Sequence, residues 1–274
     1  SAGLGGMAHL VNFMGTDTME GLLAAHRYYG ADMAGFSIPA AEHSTITSWG
    51  REREEAAYTN MLDVFDGEGK VVAVVSDSYD LDAALTVIWG GTLRNKVLAR
   101  KGTLVVRPDS GDPVETPVRT VKTLWQAFGG TMNAKGYRVL DPHVRVIQGD
   151  GMTPVTIAKL IERLIEEGFA IDNIAFGMGG GLLQQVNRDT LRFAMKANAM
   201  RDAAGVWHDV AKAPLTDPGK ASKAGRQAVV LDNGRMVARR REHVKEADDL
   251  LRPVWRNGTL HVRHSFDEVR RRGA

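Results

Sequence analysis

Residues 104–113 read LVVRPDSGDP, an apolar run that stops abruptly in an arginine, two aspartates and a glycine. Leu104 to Val106 have the composition of a buried β-strand, and Pro108 with Gly111 turns the chain directly after it. The same grammar recurs in VVAVVSDSYD at 71–80, VRVIQGDG at 144–151 and NIAFGMGGG at 173–181. Four apolar strands in series, each ending in Asp, Ser, Arg or Gly, match an α/β barrel whose functional groups collect at the strand C-termini. One polar strand end is an ordinary turn, whereas four in series imply a shared site.

Helical patterns separate these strands. Leu81, Ala84, Leu85 and Ile88 follow the first, and Val118, Val121, Leu124, Trp125 and Phe128 the second. The third leads to Ile157, Leu160, Ile161, Leu164 and Ile165, a helical stripe with Thr153 as N-cap and Pro154 in its first turn. The fourth is expected to lead into a helix from about Leu182 to Lys196. Such alternation predicts a parallel sheet, closed or open. Upstream, HLVNF at 9–13 is a short strand candidate and GTDT at 15–18 a turn and helix cap. The helix after it carries Leu22, Leu23, His26, Arg27 and Tyr29 and is closed by Gly30. GFSIPAAEHSTITSWG at 35–50 is neither periodic nor strongly polar, and as a semi-apolar loop holding Glu42, His43 and Ser44 it suits a pocket wall. A helix is expected over 51–65.

After residue 205 the pattern changes. GRQAVVLDNGRMVARR and PVWRNGTLHVRHSF each place Asn-Gly between two β-like runs, the strongest short hairpin signal. The expected organisation is a catalytic α/β portion over 1–205 and a hairpin-rich portion over 206–274. KAPLTDPGKASKAGR at 212–226 is a Pro-, Gly- and Lys-rich loop, either a solvated connection or a phosphate-facing one.

With 274 residues, 43% hydrophobic and 25% charged, the chain has the material for one large core and a small appendage. A net charge of +2 gives no global signal for nucleic acid or a membrane surface. The absence of cysteine removes disulfides, thiolate metal sites and cysteine nucleophiles together, and points to a cytoplasmic enzyme. No run reaches the roughly 18 apolar residues of a membrane span, and residues 1–30 lack a signal-peptide layout. The first residue is not methionine, so either an initiator methionine has been removed or an upstream piece is missing.

GMGGG at 177–181, after a strand and before a helix, has the physical properties of a phosphate cradle: glycine allows close approach and successive N–H groups face the anion. Its spacing fits neither the dinucleotide fingerprint nor the P-loop. Arg188, in the expected helix, is a candidate bidentate partner for the same phosphate. Asp80 and Asp109, at two strand ends, suit a Mg²⁺-bound polyphosphate, with turn capping as the plainer alternative for each. Asp150 stands where a ribose diol could donate to it.

GTDT, PAAEHST, VVSDSYD, RPDSGDP, RVIQGDG and IAFGMGGGLLQ, in this order, resemble the nicotinamide phosphoribosyltransferase family, and the match runs to SFDEVR at 265–270. The resemblance implies a phosphoribosyltransferase-type α/β barrel with a small antiparallel β appendage, working as a head-to-tail homodimer. It also implies synthesis of nicotinamide mononucleotide and diphosphate from nicotinamide and phosphoribosyl pyrophosphate with Mg²⁺, improved by ATP through a phosphorylated histidine. By this similarity Asp17 accepts a hydrogen bond from the carboxamide, Arg107 and Ser76 help hold the ring and its amide, and His43 is the phosphorylated histidine. Asp80 and Asp109 serve the Mg²⁺ and diphosphate end, Asp150 the ribose hydroxyls, and Gly179, Gly180 and Arg188 the 5′-phosphate, with Gly149 also among the substrate-binding residues. The family's chains extend upstream, so this chain is expected to be a C-terminal portion acting with an N-terminal segment or chain of the same enzyme. The competing readings are a nicotinate phosphoribosyltransferase, which Asp17 disfavours, and a non-catalytic binding module.

Overall fold

The computed structural model describes residues 1–185, 187, 195–216 and 218–274. Contacts divide the chain into two compact units, Ser1–Val186 with Phe266–Ala274, and Asn187–Ser265. The first unit runs α1 (Ala2–Asn12), α2 (Met19–Tyr29), β1 (Ala40–Ala41), α3 (His43–Thr47), α4 (Glu54–Val64) and β2 (Val71–Val75). It continues with α5 (Leu81–Ala83), a π-helix (Ala84–Thr92), α6 (Arg94–Leu98), β3 (Thr103–Arg107), α7 (Glu115–Phe128) and the hairpin β4 (Gly130–Met132) with β5 (Arg138–Leu140). Then follow β6 (Val144–Gln148), α8 (Pro154–Glu166), β7 (Ile174–Phe176) and α9 (Gly180–Leu183).

The central sheet is parallel, in the order β1-β2-β3-β6-β7. Its neighbours follow chain order without reversal. A doubly wound sheet reverses at a switch point, and a singly wound one curves the way a barrel wall does. Among the described residues the sheet has five strands, and Gly15 makes a separate parallel bridge to Phe36, upstream of β1. The strands are apolar because both faces are covered: Val72, Val74, Val75, Leu104, Val106, Val144 and Val146 are fully buried. Each such side chain contributes about 2 kcal/mol relative to exposure. Thr153 caps α8 from its side chain, with Pro154 at the first helical position, as its sequence predicts.

HLVNF at 9–13 is not a strand; residues 9–12 are the last turn of α1. The reason lies in α2. A Cβ on Gly6 would sit 3.1 Å from Gly21 Cα, and one on Gly21 2.9 Å from the Gly6 carbonyl carbon, so the two glycines let the helices meet backbone to backbone. Leu10 is thereby buried with Ala25, Ala34 and Phe266. Five apolar residues do not distinguish helix from strand on their own; this contact does. Phe266 belongs to α10 (Phe266–Gly273), which returns to the first unit, where Arg270 Nε donates to the Leu10 carbonyl at 2.9 Å.

The second unit is built of antiparallel pairs: β8 (Ala199–Arg201) with β9 (Trp207–Asp209), β10 (Gln227–Asp232) with β11 (Arg235–Arg240), and β12 (Trp255–Arg256) with β13 (Thr259–Leu260). Both Asn-Gly turns have positive φ at each residue, 49° and 76° at Asn233-Gly234 and 49° and 82° at Asn257-Gly258, the form that matches strand twist. Arg240 ties β11 to β9 through a two-pronged pair with Asp209, at 2.9 and 3.0 Å. The boundary expected near 205 falls inside this unit, and α10 lies outside it. Arg188 and most of the helix expected over 182–196 lie outside the described residues. No helix among the described residues is long and apolar enough to cross a membrane.

Candidate active site

Strand parity builds the site. Val75 pairs with Arg107, and Ile147 with Ala175, so these four lie along one row of the parallel sheet. Two residues further on, at the strand ends, the same face carries Asp77, Asp109, Gly149 and Gly177, because side chains alternate with period two. Arg107, Ile147, Ala175, Asp109, Gly149 and Gly177 all line one cavity of about 560 Å³. His9, Gly15, Asp17, Phe36, Ser37, Ile38, Met178 and Gly179 complete most of its wall.

Asp17 and Ser37 form one end. The Gly15–Phe36 bridge brings their segments together, and the Ser37 hydroxyl donates to the Asp17 carboxylate. Behind Asp109, outside the cavity lining, His43 opens α3, with Glu42 as its N-cap. Its Nε2 lies 3.3 Å from Asp109 Oδ2 and 3.9 Å from Asp77 Oδ1, and its Nδ1 3.1 Å from Ser78 Oγ. Two carboxylates facing Nε2 favour the proton there, which leaves Nδ1 to accept from the Ser78 hydroxyl. Asp77 is 4% exposed at its side chain, and its Oδ2 accepts from the Asp109 amide at 3.1 Å and the Ser110 hydroxyl at 2.5 Å. Its Oδ1 is buried without a hydrogen-bond partner among the described residues, as is Arg107 Nε. Arg107 Nη2 meets Asp109 Oδ2 at 3.3 Å.

The glycines do the opposite. A Cβ on Gly149, Gly179 or Gly180 would meet nothing within 4 Å, so these backbones border open space. Gly177 differs: a Cβ there would lie 3.0 Å from Gly149 Cα, so the ends of β6 and β7 converge this closely because Gly177 has no side chain.

Asp17, Arg107, Asp109, Gly149 and Gly179 of the expected set therefore share the cavity, with His43 bonded to Asp109 from outside its lining. Ser76 is not with them. Even-numbered on its strand, it faces the helices and is fully buried; its hydroxyl donates to the Val74 carbonyl and accepts from Trp89 Nε1, both at 3.0 Å. The residue on the cavity side is its neighbour Asp77, which the register of β2 with β3 sets beside Asp109. Asp80 caps α5, its Oδ1 accepting from the Ala83 amide at 3.0 Å. Asp150 is exposed and away from the cavity lining; its carbonyl accepts from the buried Gln148 side chain at 3.0 Å. Gly180 stands just past the lining. Ser37, Ser78, Ser110 and His9 were not singled out from the sequence as site residues, because nothing local distinguishes them from turn or helix residues.

Among the described residues no group of three or more acidic or histidine side chains is arranged to hold a metal by itself. Asp109 at the cavity wall and the unpaired Asp77 oxygen behind it are hard oxygen donors, the kind that hold Mg²⁺ jointly with a bound polyphosphate.

A parallel sheet in chain order with a ligand-sized cavity at its strand C-termini, walled by an arginine, carboxylates and bare glycine backbone, defines the class as an α/β protein with a small-molecule site at its strand ends. Residues 1–259 match the nicotinate phosphoribosyltransferase (NAPRTase) family, and the chain belongs to it. It is 51% identical over 276 residues to a nicotinamide phosphoribosyltransferase of Xanthomonas campestris pv. campestris, a match covering 98% of this chain and 58% of that protein. Proteins of the same name from Acinetobacter baylyi and Mycoplasma pneumoniae are 33% and 38% identical, covering 97% and 80% of this chain and 57% and 48% of theirs. The chain thus spans about half to three fifths of the length of these relatives.

Proposed function

We propose that this chain carries the strand-end site of an enzyme that makes nicotinamide mononucleotide and diphosphate from nicotinamide and phosphoribosyl pyrophosphate. The observation that carries the reading is the Asp17–Ser37 pair at one end of a cavity whose other walls hold Arg107, Asp109 and the open glycines. A carboxylate there accepts the N–H of a carboxamide and repels a second carboxylate. This favours nicotinamide over nicotinate as the base.

In the reaction the pyridine nitrogen attacks the anomeric carbon as its bond to the diphosphate breaks, through an oxocarbenium-like centre. Positioning and charge stabilisation therefore matter more than a strong base. Gly179 and Gly180 would present backbone N–H groups to the 5′-phosphate, with Arg188 as a further candidate from the sequence. Gly149 leaves room for the ribose, and Asp150 would reach its hydroxyls after a movement of its loop. Arg107, held by Asp109, would orient the base. Mg²⁺, when bound, would neutralise charge on the departing diphosphate. Asp109 and Asp77 would hold it together with the diphosphate, with Asp80 further out at the helix cap.

His43, set between a hydroxyl and two carboxylates, is the group we assign to ATP coupling. The γ-phosphoryl would pass from ATP to an imidazole nitrogen, releasing ADP, and water would later release it as phosphate. A cytoplasmic homodimer, completed by the remainder of the enzyme's polypeptide, is part of this reading, and native mass spectrometry of the purified enzyme would count its chains. The deciding experiment compares turnover of nicotinamide and nicotinate by the wild type and by Asp17→Ser. Preference for nicotinamide in the wild type, reduced at least tenfold in the variant, is expected. A variant with undiminished preference removes Asp17 from base recognition, and a wild type that binds phosphoribosyl pyrophosphate without turnover reduces the chain to a binding module.

A further inference from the structure

His9 lines the base end of the cavity, yet nothing in the proposed chemistry uses it. It sits in the last turn of α1, its ring stacked on Phe13 with centroids 4.9 Å apart and planes 17° off parallel. Its Nε2 lies 2.9 Å from the Gly15 carbonyl oxygen. A carbonyl can only accept, so Nε2 carries the proton and the ring is a fixed donor.

The peptide it holds is the one between Gly15 and Thr16. The N–H end of that same unit, on Thr16, donates to the Phe36 carbonyl at 2.8 Å, so the plane is clamped at both ends. Phe36 in turn donates to the Met14 carbonyl at 2.7 Å. One residue further on, the Thr18 amide donates to Thr16 Oγ1 at 3.0 Å, spanning Asp17. The clamp matters because Gly15 has no side chain and a Cβ there would meet nothing within 4 Å, so local sterics do not stop this peptide from rotating. Rotation of the Gly15–Thr16 plane would swing the backbone that aims Asp17.

The geometry points to His9 as a positioning residue for base recognition: it fixes the Gly15–Thr16 peptide, and through it the direction of the Asp17 carboxylate towards the carboxamide. The inference rests on the reading of Asp17 given above. It follows that His9 should set affinity for the base without touching the phosphorylated substrate.

The test uses the complete enzyme and two variants. His9→Phe keeps the stack on Phe13 and loses the donor, whereas His9→Gln restores an N–H at nearly the reach of Nε2. For His9→Phe the KM for nicotinamide should rise about fivefold, the net worth of one hydrogen bond. Preference over nicotinate should fall by a similar factor, while kcat at saturating base and the KM for phosphoribosyl pyrophosphate stay within about twofold. His9→Gln should recover most of the loss. Wild-type base affinity and preference in His9→Phe would overturn the inference. So would a loss in both variants that extends equally to phosphoribosyl pyrophosphate and thermal stability, since His9 would then be holding the fold. A wild type that discriminates by Asp17 while ignoring His9 sinks this inference alone; a wild type indifferent to the base sinks the functional reading and this one with it.

Discussion

The ends of β2 and β3 and the ends of β6 and β7 form two halves of one rim, and they are built in opposite ways. The first half is crowded with side chains that hold one another: Asp77 takes the Asp109 amide and the Ser110 hydroxyl, Asp109 takes Arg107 and His43, and His43 takes Ser78. The second half is bare backbone, with Gly149, Gly179 and Gly180 facing open space and Gly177 against Gly149. Titratable groups need a network to fix their protons and directions. An anion bound by backbone N–H groups needs only that nothing stands in the way. The contrast means that substitutions on the two halves should fail in different currencies, chemistry on one and affinity on the other.

Gly180→Val should give the largest effect. A branched side chain would fill the space the phosphate needs, and the loss of one or two charge-assisted hydrogen bonds corresponds to about 100-fold in affinity. Both phosphoribosyl pyrophosphate and the mononucleotide should lose equally, because both carry the 5′-phosphate. Thermal stability should hardly move, since the added atoms meet no protein and Gly180 is not in the left-handed region, so no backbone strain is added. Calorimetric titration of each ligand, with a melting curve alongside, checks this; a destabilised variant with intact affinity would turn the bare half into a packing device.

His43→Ala comes next. ATP hydrolysis should disappear, while ATP-independent synthesis persists about tenfold below the coupled rate, within the usual range of coupling energies. Undiminished phosphate release would take His43 out of the mechanism and leave the crowded half a structural network.

The smallest effect concerns the support beneath that half. Tyr58 donates to the buried Glu54 carboxylate at 2.8 Å and stacks on Trp89 with centroids 4.4 Å apart, and Trp89 holds Ser76 below Asp77. Burial, opposed by the Tyr58 hydrogen bond, raises the Glu54 pKa. A raised carboxyl pKa favours the protonated form in the folded state, so this contribution to stability is full below the ordinary glutamate range and is lost as pH rises through the raised value. Glu54→Gln should flatten that slope and leave base and phosphate affinities alone. Urea midpoints measured from about pH 4 to 7 read it directly; an unchanged slope would show that Glu54 titrates as an ordinary carboxylate.

Much of this was legible in the sequence where one residue type serves one local purpose. The four apolar runs, the Thr153-Pro154 start of α8 and the two Asn-Gly turns each have a single good conformation, and each adopts it. Ser76 and Asp77 were harder. They are adjacent and both polar, and only the register with β3, together with a tryptophan delivered by the π-helix, decides which faces the cavity. Asp80 shows the converse: a carboxylate at a strand end that the following helix claims for its own first turn. The end of α1 was misleading because its decisive partner, Gly21, lies in another helix and contributes no side chain to read.

The chain-order sheet also bears on how the molecule comes into being. Each strand pairs with one made shortly before it, Val71 with Thr103, Leu104 with Val144, Val146 with Ile174, so on the ribosome the wall can grow by accretion as the chain emerges. The small core of Leu10, Ala25 and Ala34 cannot follow that schedule. It waits for Phe266, and the carbonyls of Leu10 and Ala34 wait for Arg270, 260 and 236 residues downstream of them in α10. The α1–α2 pair, and with it the helix that bears His9, is therefore locked by residues synthesised long after it, and this part of the first unit is completed only once residues 187–265, the whole of the second unit, have been translated.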